Sequence, residues 1–132
     1  MTISSIVVHC SASPQGRGDD AATIHQWHRA NGWSGIGYHF VILEDGEIQA
    51  GRPWYWTGAH VSGYNKGSLG ICLIGMGGDA TDAQMNALKQ LVIGLTNKHN
   101  FKAEVFGHSD LDPINKPDCP GFPVKEWWSK QI

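Results

Sequence analysis

Apolar residues fall along this chain in two kinds of pattern. Short continuous runs rich in β-branched residues occur in "SSIVVHC", where Ile6, Val7 and Val8 follow one another, and again in "LGICLIG". Runs of that length and composition predict buried strands. "KAEVFG" predicts one more strand, and "YHFVILEDGEIQAG" predicts a hairpin around Asp45-Gly46, a pair that readily takes a turn with positive φ. Helical spacing appears three times. Ile24, Trp27 and His28 stand at i, i+3 and i+4 in a helix that Asp19 or Asp20 can cap and that runs to about Ala30. Thr81 and Gln84 form a capping-box pattern for a helix to about His99, with Met85, Leu88, Leu91, Val92 and Leu95 on its core face. Pro123 suits the first turn of a short last helix, "VKEWWSKQ".

Between these elements lie "SASPQGRGDD", which is turn chemistry, and "NGWSGIG", which ends the first helix. "RPWYWTGAHVSGYNKGS" is long, glycine-rich and aromatic, without a period, and long irregular segments inside compact domains are usually functional. The order is β-α-β-β-loop-β-α-β-loop-α. It predicts an α/β fold: one domain over residues 1–132, with a central mixed β-sheet flanked by helices.

Composition narrows the function. The 132 residues carry a net charge of -2 and no run of Lys or Arg, which argues against nucleic acid or an anionic membrane as partner. No apolar stretch approaches the roughly 18–20 residues of a membrane span. The start, "MTISSIVVHC", lacks a basic region followed by a cleavable apolar segment, so no secretory signal is expected. Three cysteines cannot form a complete disulfide framework, and free thiols suit a reducing cytosol.

Seven histidines are the next signal. His9 closes the first strand and His108 the last, and sites in open sheets gather at such strand ends. Cys119 follows His108 in the same Pro-interrupted loop, "GHSDLDPINKPDCPGF". Two imidazoles and one thiolate suit a catalytic zinc, which takes three protein ligands and leaves one position open. The spacing matches no local zinc motif, so packed side chains remain an alternative on residues alone. Cys10 and Cys72 read as small buried hydrophobes. His25 and His99 read as surface or capping residues, and His28 as a packed helix residue. Of Tyr38 and His39, alternation turns one to a cleft and the other to the core. Trp127 and Trp128 anchor the last helix, while Trp33, Trp54 and Trp56 could line a groove or pack the hairpin.

Taken together, "VHCSAS", "IHQWHRANGWSGIGYHFVI", "AGR", "GAHVSGYNKGSLGICLIG" and "GHSDLDPINKPDCPGF" resemble, in order and interval, the type 2 N-acetylmuramoyl-L-alanine amidases. These zinc enzymes include phage lysozymes and are related to the peptidoglycan recognition proteins. The likeness runs from about Ile6 to Trp128. It implies that fold, and hydrolysis of the amide between N-acetylmuramic acid and L-alanine in peptidoglycan by a phage or prophage endolysin. By position it implies one Zn2+ held by His9, His108 and Cys119, with Tyr38 and Lys116 as catalytic residues and His60 in contact with substrate. Lys116 stands three residues before the cysteine, where the phage enzymes usually place it two before. A cysteine as third ligand distinguishes hydrolytic members from binding-only ones; the alternative reading is a non-catalytic peptidoglycan-binding module. The expectation is a monomer that waits in the host cytoplasm and reaches the wall after release, gripping it through the aromatic loop from Trp54 to Tyr64. A regulatory protein partner is a further possibility, as is a structural zinc protein.

Overall fold

In a computed structural model of the chain, which describes residues 2–100, 102 and 104–131, five strands form one sheet. They are β1 (Ser5–Cys10), β2 (Phe40–Ile42), β3 (Ile48–Ala50), β4 (Ser68–Leu73) and β5 (Glu104–Gly107), in the order β3-β2-β4-β1-β5. β2, β4, β1 and β5 run parallel, and β3 pairs antiparallel with β2. The helices are α1 (Ala21–Ala30), α2 (Asp82–His99), a single turn α3 (His108–Leu111), and α4 (Val124–Ser129). The mixed sheet with flanking helices is the expected architecture. Within the expected last strand, Lys102 lies outside the ladder and Ala103 lies outside the described residues.

The period of two along each strand sorts side chains onto two faces. Ile6 and Val8 of β1, Leu69, Ile71 and Leu73 of β4, and Ile42 and Val105 pack with Leu88, Val92 and Leu95 of α2 and with Val124 and Trp128 of α4. On the opposite face, Val41 and Cys72 pack with Ile24 of α1, Ile36 and Ile74. His9 pairs across the ladder with Cys72 and Val7 with Gly70, so His9 lies on the α1 face.

Both long helices start where side-chain caps satisfy orphan amides. Asp20 accepts from the Thr23 amide at 2.9 Å. Thr81 and Gln84 cap each other reciprocally. Gln84 does more than the capping pattern foretold: fully buried, it donates to the carbonyls of Ile42 and Ile74, joining α2 to the ends of β2 and β4. The turn α3 replaces expected loop. Asp110 accepts the Gly107 amide at 2.7 Å, and Pro113 stops the helix from extending.

Leu88→Ala should lower stability by about 2–5 kcal/mol, as for a fully buried leucine truncated in a packed core. Urea denaturation checks this; a cost under about 1 kcal/mol would place Leu88 outside the core.

Candidate active site

Two adjacent parallel strands bring the expected ligands together. His9 lies near the carboxyl end of β1, and His108 follows directly on β5 as the first residue of α3. Their Nδ1 atoms are 3.0 Å apart. Cys119 joins them from the following loop, and the ligand atoms of His9, His108 and Cys119 all lie within 4.8 Å of one another. That loop is clamped: the Ser109 amide donates to Cys119 O at 2.8 Å and the Gly78 amide to Pro120 O at 3.3 Å. Gly121 allows the approach, since a Cβ there would collide with the backbone of Gly77 and Gly78. The Cys119 sulfur accepts the Cys10 amide at 3.2 Å.

This donor set fits zinc. Two nitrogens bound tetrahedrally at about 2.0–2.1 Å would lie roughly 3.3 Å apart, close to the separation seen. Three protein donors are the number a catalytic zinc site takes, and the cleft lies beside them.

Burial keeps the imidazoles neutral, the form that binds metal. His9 is held well below its ordinary pKa by burial first, then by His60, His108 and Lys116. His108 is lowered by burial and by the Lys116 charge, with Asp112 opposing. His60 is pushed down to about 3, mainly by burial. The hydrogen bond shared by Cys10 and Cys119 lowers the Cys10 thiol to about 7 and, together with burial, raises the Cys119 thiol above its ordinary value.

A cleft of about 490 Å³ opens beside these groups, lined among others by His28, Trp33, Tyr38, His60, His108 and Lys116. The Tyr38 ring lies 4.9 Å from that of His9. Burial, and then the neighbouring thiols, raise its hydroxyl pKa well above normal, so it stays a donor. Lys116 is exposed at the rim, its charge felt by both ligand histidines. The turn closed by the Lys116 amide on Asp112 O at 2.9 Å brings the lysine to the cleft despite its extra residue of spacing.

His60 lies in the cleft wall, only 8% exposed. Its Nδ1 is 2.9 Å from His9 Nε2 and its Nε2 is 3.2 Å from Ser68 Oγ, so neither ring nitrogen is left over for a substrate. His39 is buried behind Tyr38, donating to Trp56 O at 2.8 Å and accepting the Gly70 amide at 3.0 Å. Of the aromatic loop, Ala59–Ser62 and Asn65 reach the cleft. Trp54 instead stacks on His99, 4.5 Å away, at the end of α2.

Reading the sequence missed a device on α1. His25 Nδ1 accepts the Ile36 amide at 3.1 Å, and His28 Nδ1 accepts the Gly37 amide at 2.9 Å. Two imidazoles one turn apart thus pin the segment that presents Tyr38. Their i, i+3 spacing opposite "GIG" was the available signal.

The comparisons with known proteins bear on the same residues. The family model described as N-acetylmuramoyl-L-alanine amidase matches residues 1–122. The chain belongs to the N-acetylmuramoyl-L-alanine amidase family. The endolysin of Klebsiella phage KP32 is 42% identical over 135 residues, covering 96% of this chain and 86% of that protein. The endolysin of Escherichia phage T7 is 38% identical over 133 residues, covering 96% and 85%. Among solved structures, the endolysin amidase LysCS from Clostridium intestinale superposes with a TM-score of 0.81 at 34% identity, over 92% of this chain and 77% of that one. The Apis mellifera recognition protein PGRP-SA gives 0.83 at 28%, over 98% and 82%. This amidase is therefore a peptidoglycan hydrolase of the endolysin kind. Among the described residues, no helix of the amidase is long and apolar enough to cross a membrane.

Stability should depend on pH through the buried imidazoles. His9, His28, His39, His60 and His108 all have lowered pKa values in the fold. Below about 6.5 the unfolded chain takes up protons that the folded chain refuses, so stability falls as pH falls. The urea midpoint of the metal-free protein should drop steadily from pH 7 to pH 5; a flat midpoint would contradict these environments.

Proposed function

We propose that the amidase works as a mononuclear zinc hydrolase, with His9, His108 and Cys119 holding the ion and Tyr38 and Lys116 acting on the scissile amide. The observation that carries this reading is the buried convergence of two Nδ1 atoms and one sulfur beside an open cleft. Zinc bound there supplies Lewis acidity, polarising a carbonyl and acidifying water to near neutral pH.

The chain's own groups do the rest. His9 and His108, neutral through burial, offer lone pairs without first losing a proton to solvent. Cys119 contributes one negative charge, its sulfur steadied by the Cys10 amide. The substrate is the amide between the lactyl carbonyl of N-acetylmuramic acid and the amine of L-alanine. As water adds to that carbonyl, its oxygen gains charge; the tetrahedral adduct then breaks its C–N bond, and the proton given up by the water leaves on the L-alanine amine. The Tyr38 hydroxyl donates toward that oxygen, and the Lys116 ammonium supplies positive charge from the rim. Both stand ready before substrate arrives, so little reorganisation accompanies the reaction. His28 acts through Tyr38: its ring lies 5.5 Å from the tyrosine ring, and it holds the Gly37 amide just before it.

In this proposal the amidase waits in the cytoplasm of an infected host until lysis and then acts on the peptidoglycan of the wall as a single chain. Grip on the wall falls to the cleft itself, through Trp33 and the segment from Ala59 to Asn65.

Purified protein incubated with peptidoglycan should release L-alanine amino groups and no new reducing sugars, and a chelator should stop the release until Zn2+ is restored. Reducing sugars, or full activity in chelator, would overturn the mechanism. Tyr38→Phe and Lys116→Ala should each lower kcat about a hundred- to a thousand-fold while zinc content stays at one per chain. Unchanged kcat in either variant would remove that residue from the reaction.

A further inference from the structure

A chain of hydrogen bonds runs from the candidate metal site into the fold, and counting its hydrogens fixes its direction. Ser68 Oγ has one hydrogen. It lies 2.7 Å from Tyr64 O and 3.1 Å from Asn65 O, and both carbonyls can only accept. The hydroxyl hydrogen is committed to a carbonyl, so toward His60 Nε2, at 3.2 Å, the oxygen has only lone pairs to offer. His60 must therefore carry its hydrogen on Nε2. Its Nδ1 is then an acceptor, and the partner at 2.9 Å, His9 Nε2, must be the donor. That leaves His9 Nδ1 bare, and it is this atom that faces His108 Nδ1.

We infer that Ser68 and His60 are positioning residues that set the tautomer of His9, keeping its metal-facing nitrogen unprotonated before any ion arrives. The fold is shaped around this relay. Ser68, Gly70 and Cys72 alternate onto the His9 face of β4, and a Cβ at Gly70 would come within 2.7 Å of the His60 ring. Asn65 Oδ1 accepts the amides of both His60 and Val61 at 2.8 Å, which fixes the backbone that carries the ring. His60 and Ser68 are both buried, which limits competition from water for the links. A ligand histidine commonly donates its second N–H to a carboxylate or a carbonyl. Here the acceptor is a second neutral imidazole, oriented in turn by a serine hydroxyl.

His108 has no such relay among the hydrogen bonds of the described residues, so in the metal-free protein its Nδ1 can hold the one proton shared between the two rings. To offer Nδ1 to a metal, the neutral His108 ring would have to move its hydrogen to Nε2, whereas His9 would need no such change.

The inference rests on the reading of His9, His108 and Cys119 as zinc ligands, and two measurements separate the two claims. In the first, long-range 1H–15N spectra of the metal-free protein report the tautomer of His9 without any variant or any ion. The expected result is hydrogen on Nε2; hydrogen on Nδ1 overturns the relay. In the second, Zn2+ affinity is read by competition with a chromophoric chelator. Wild type should bind one ion, and His60→Ala should bind it about 10- to 100-fold more weakly. Ser68→Ala should weaken it about tenfold, with Ser68→Thr, which keeps the hydroxyl, returning toward wild type. Wild-type affinity in both His60→Ala and Ser68→Ala overturns the relay but leaves the ligand set intact. A wild-type protein that takes up no Zn2+ overturns the ligand set itself.

Discussion

Two bare imidazole nitrogens 3.0 Å apart inside a protein repel unless a proton or a cation stands between them. Much of this molecule reads as the means of imposing that contact. β1 and β5 are neighbouring parallel strands, so residues at their carboxyl ends emerge side by side. The apolar face beneath, from Ile6 and Val8 to Leu88 and Val92, fixes their register. The loop carrying Cys119 is tied to the same corner by backbone bonds to Ser109 and Gly78. In the proposed mechanism an ion held by His9, His108 and Cys119 would take the place of the proton between the two rings.

Burial has a second consequence. It keeps His9, His60 and His108 neutral and Tyr38 protonated. Each is then in the state its proposed task requires: lone pairs toward the ion, and a hydroxyl donor toward the substrate. The only full positive charge among the named groups is Lys116, which sits exposed at the rim. Its approach further disfavours protonated imidazoles. A polar cluster this deep survives because its members satisfy one another, from Ser68 through His60 to His9, with His39 braced separately on Trp56 and Gly70.

The architecture was legible because the strands are short β-branched runs and both long helices carry explicit caps; Thr81 and Gln84 bond as their spacing suggests. The candidate ligands His9, His108 and Cys119 could be nominated from strand ends and from the family pattern. What stayed hidden depends on approach in three dimensions. Nothing in "GAH" says that His60 will meet His9, because the link needs Gly70, ten residues on, to lack a side chain. The one-turn helix α3 is too short to leave a period. The aromatic loop was half legible: its later residues reach the cleft, while Trp54 is drawn to His99 by a helix end distant in sequence.

X-ray absorption at the zinc edge, on protein loaded with one equivalent of Zn2+, addresses the central claim most directly. The expected first shell is two nitrogens at about 2.0–2.1 Å, one sulfur at about 2.3 Å and one further light atom from solvent. A shell without sulfur, or with four ligands all from the protein, would contradict it.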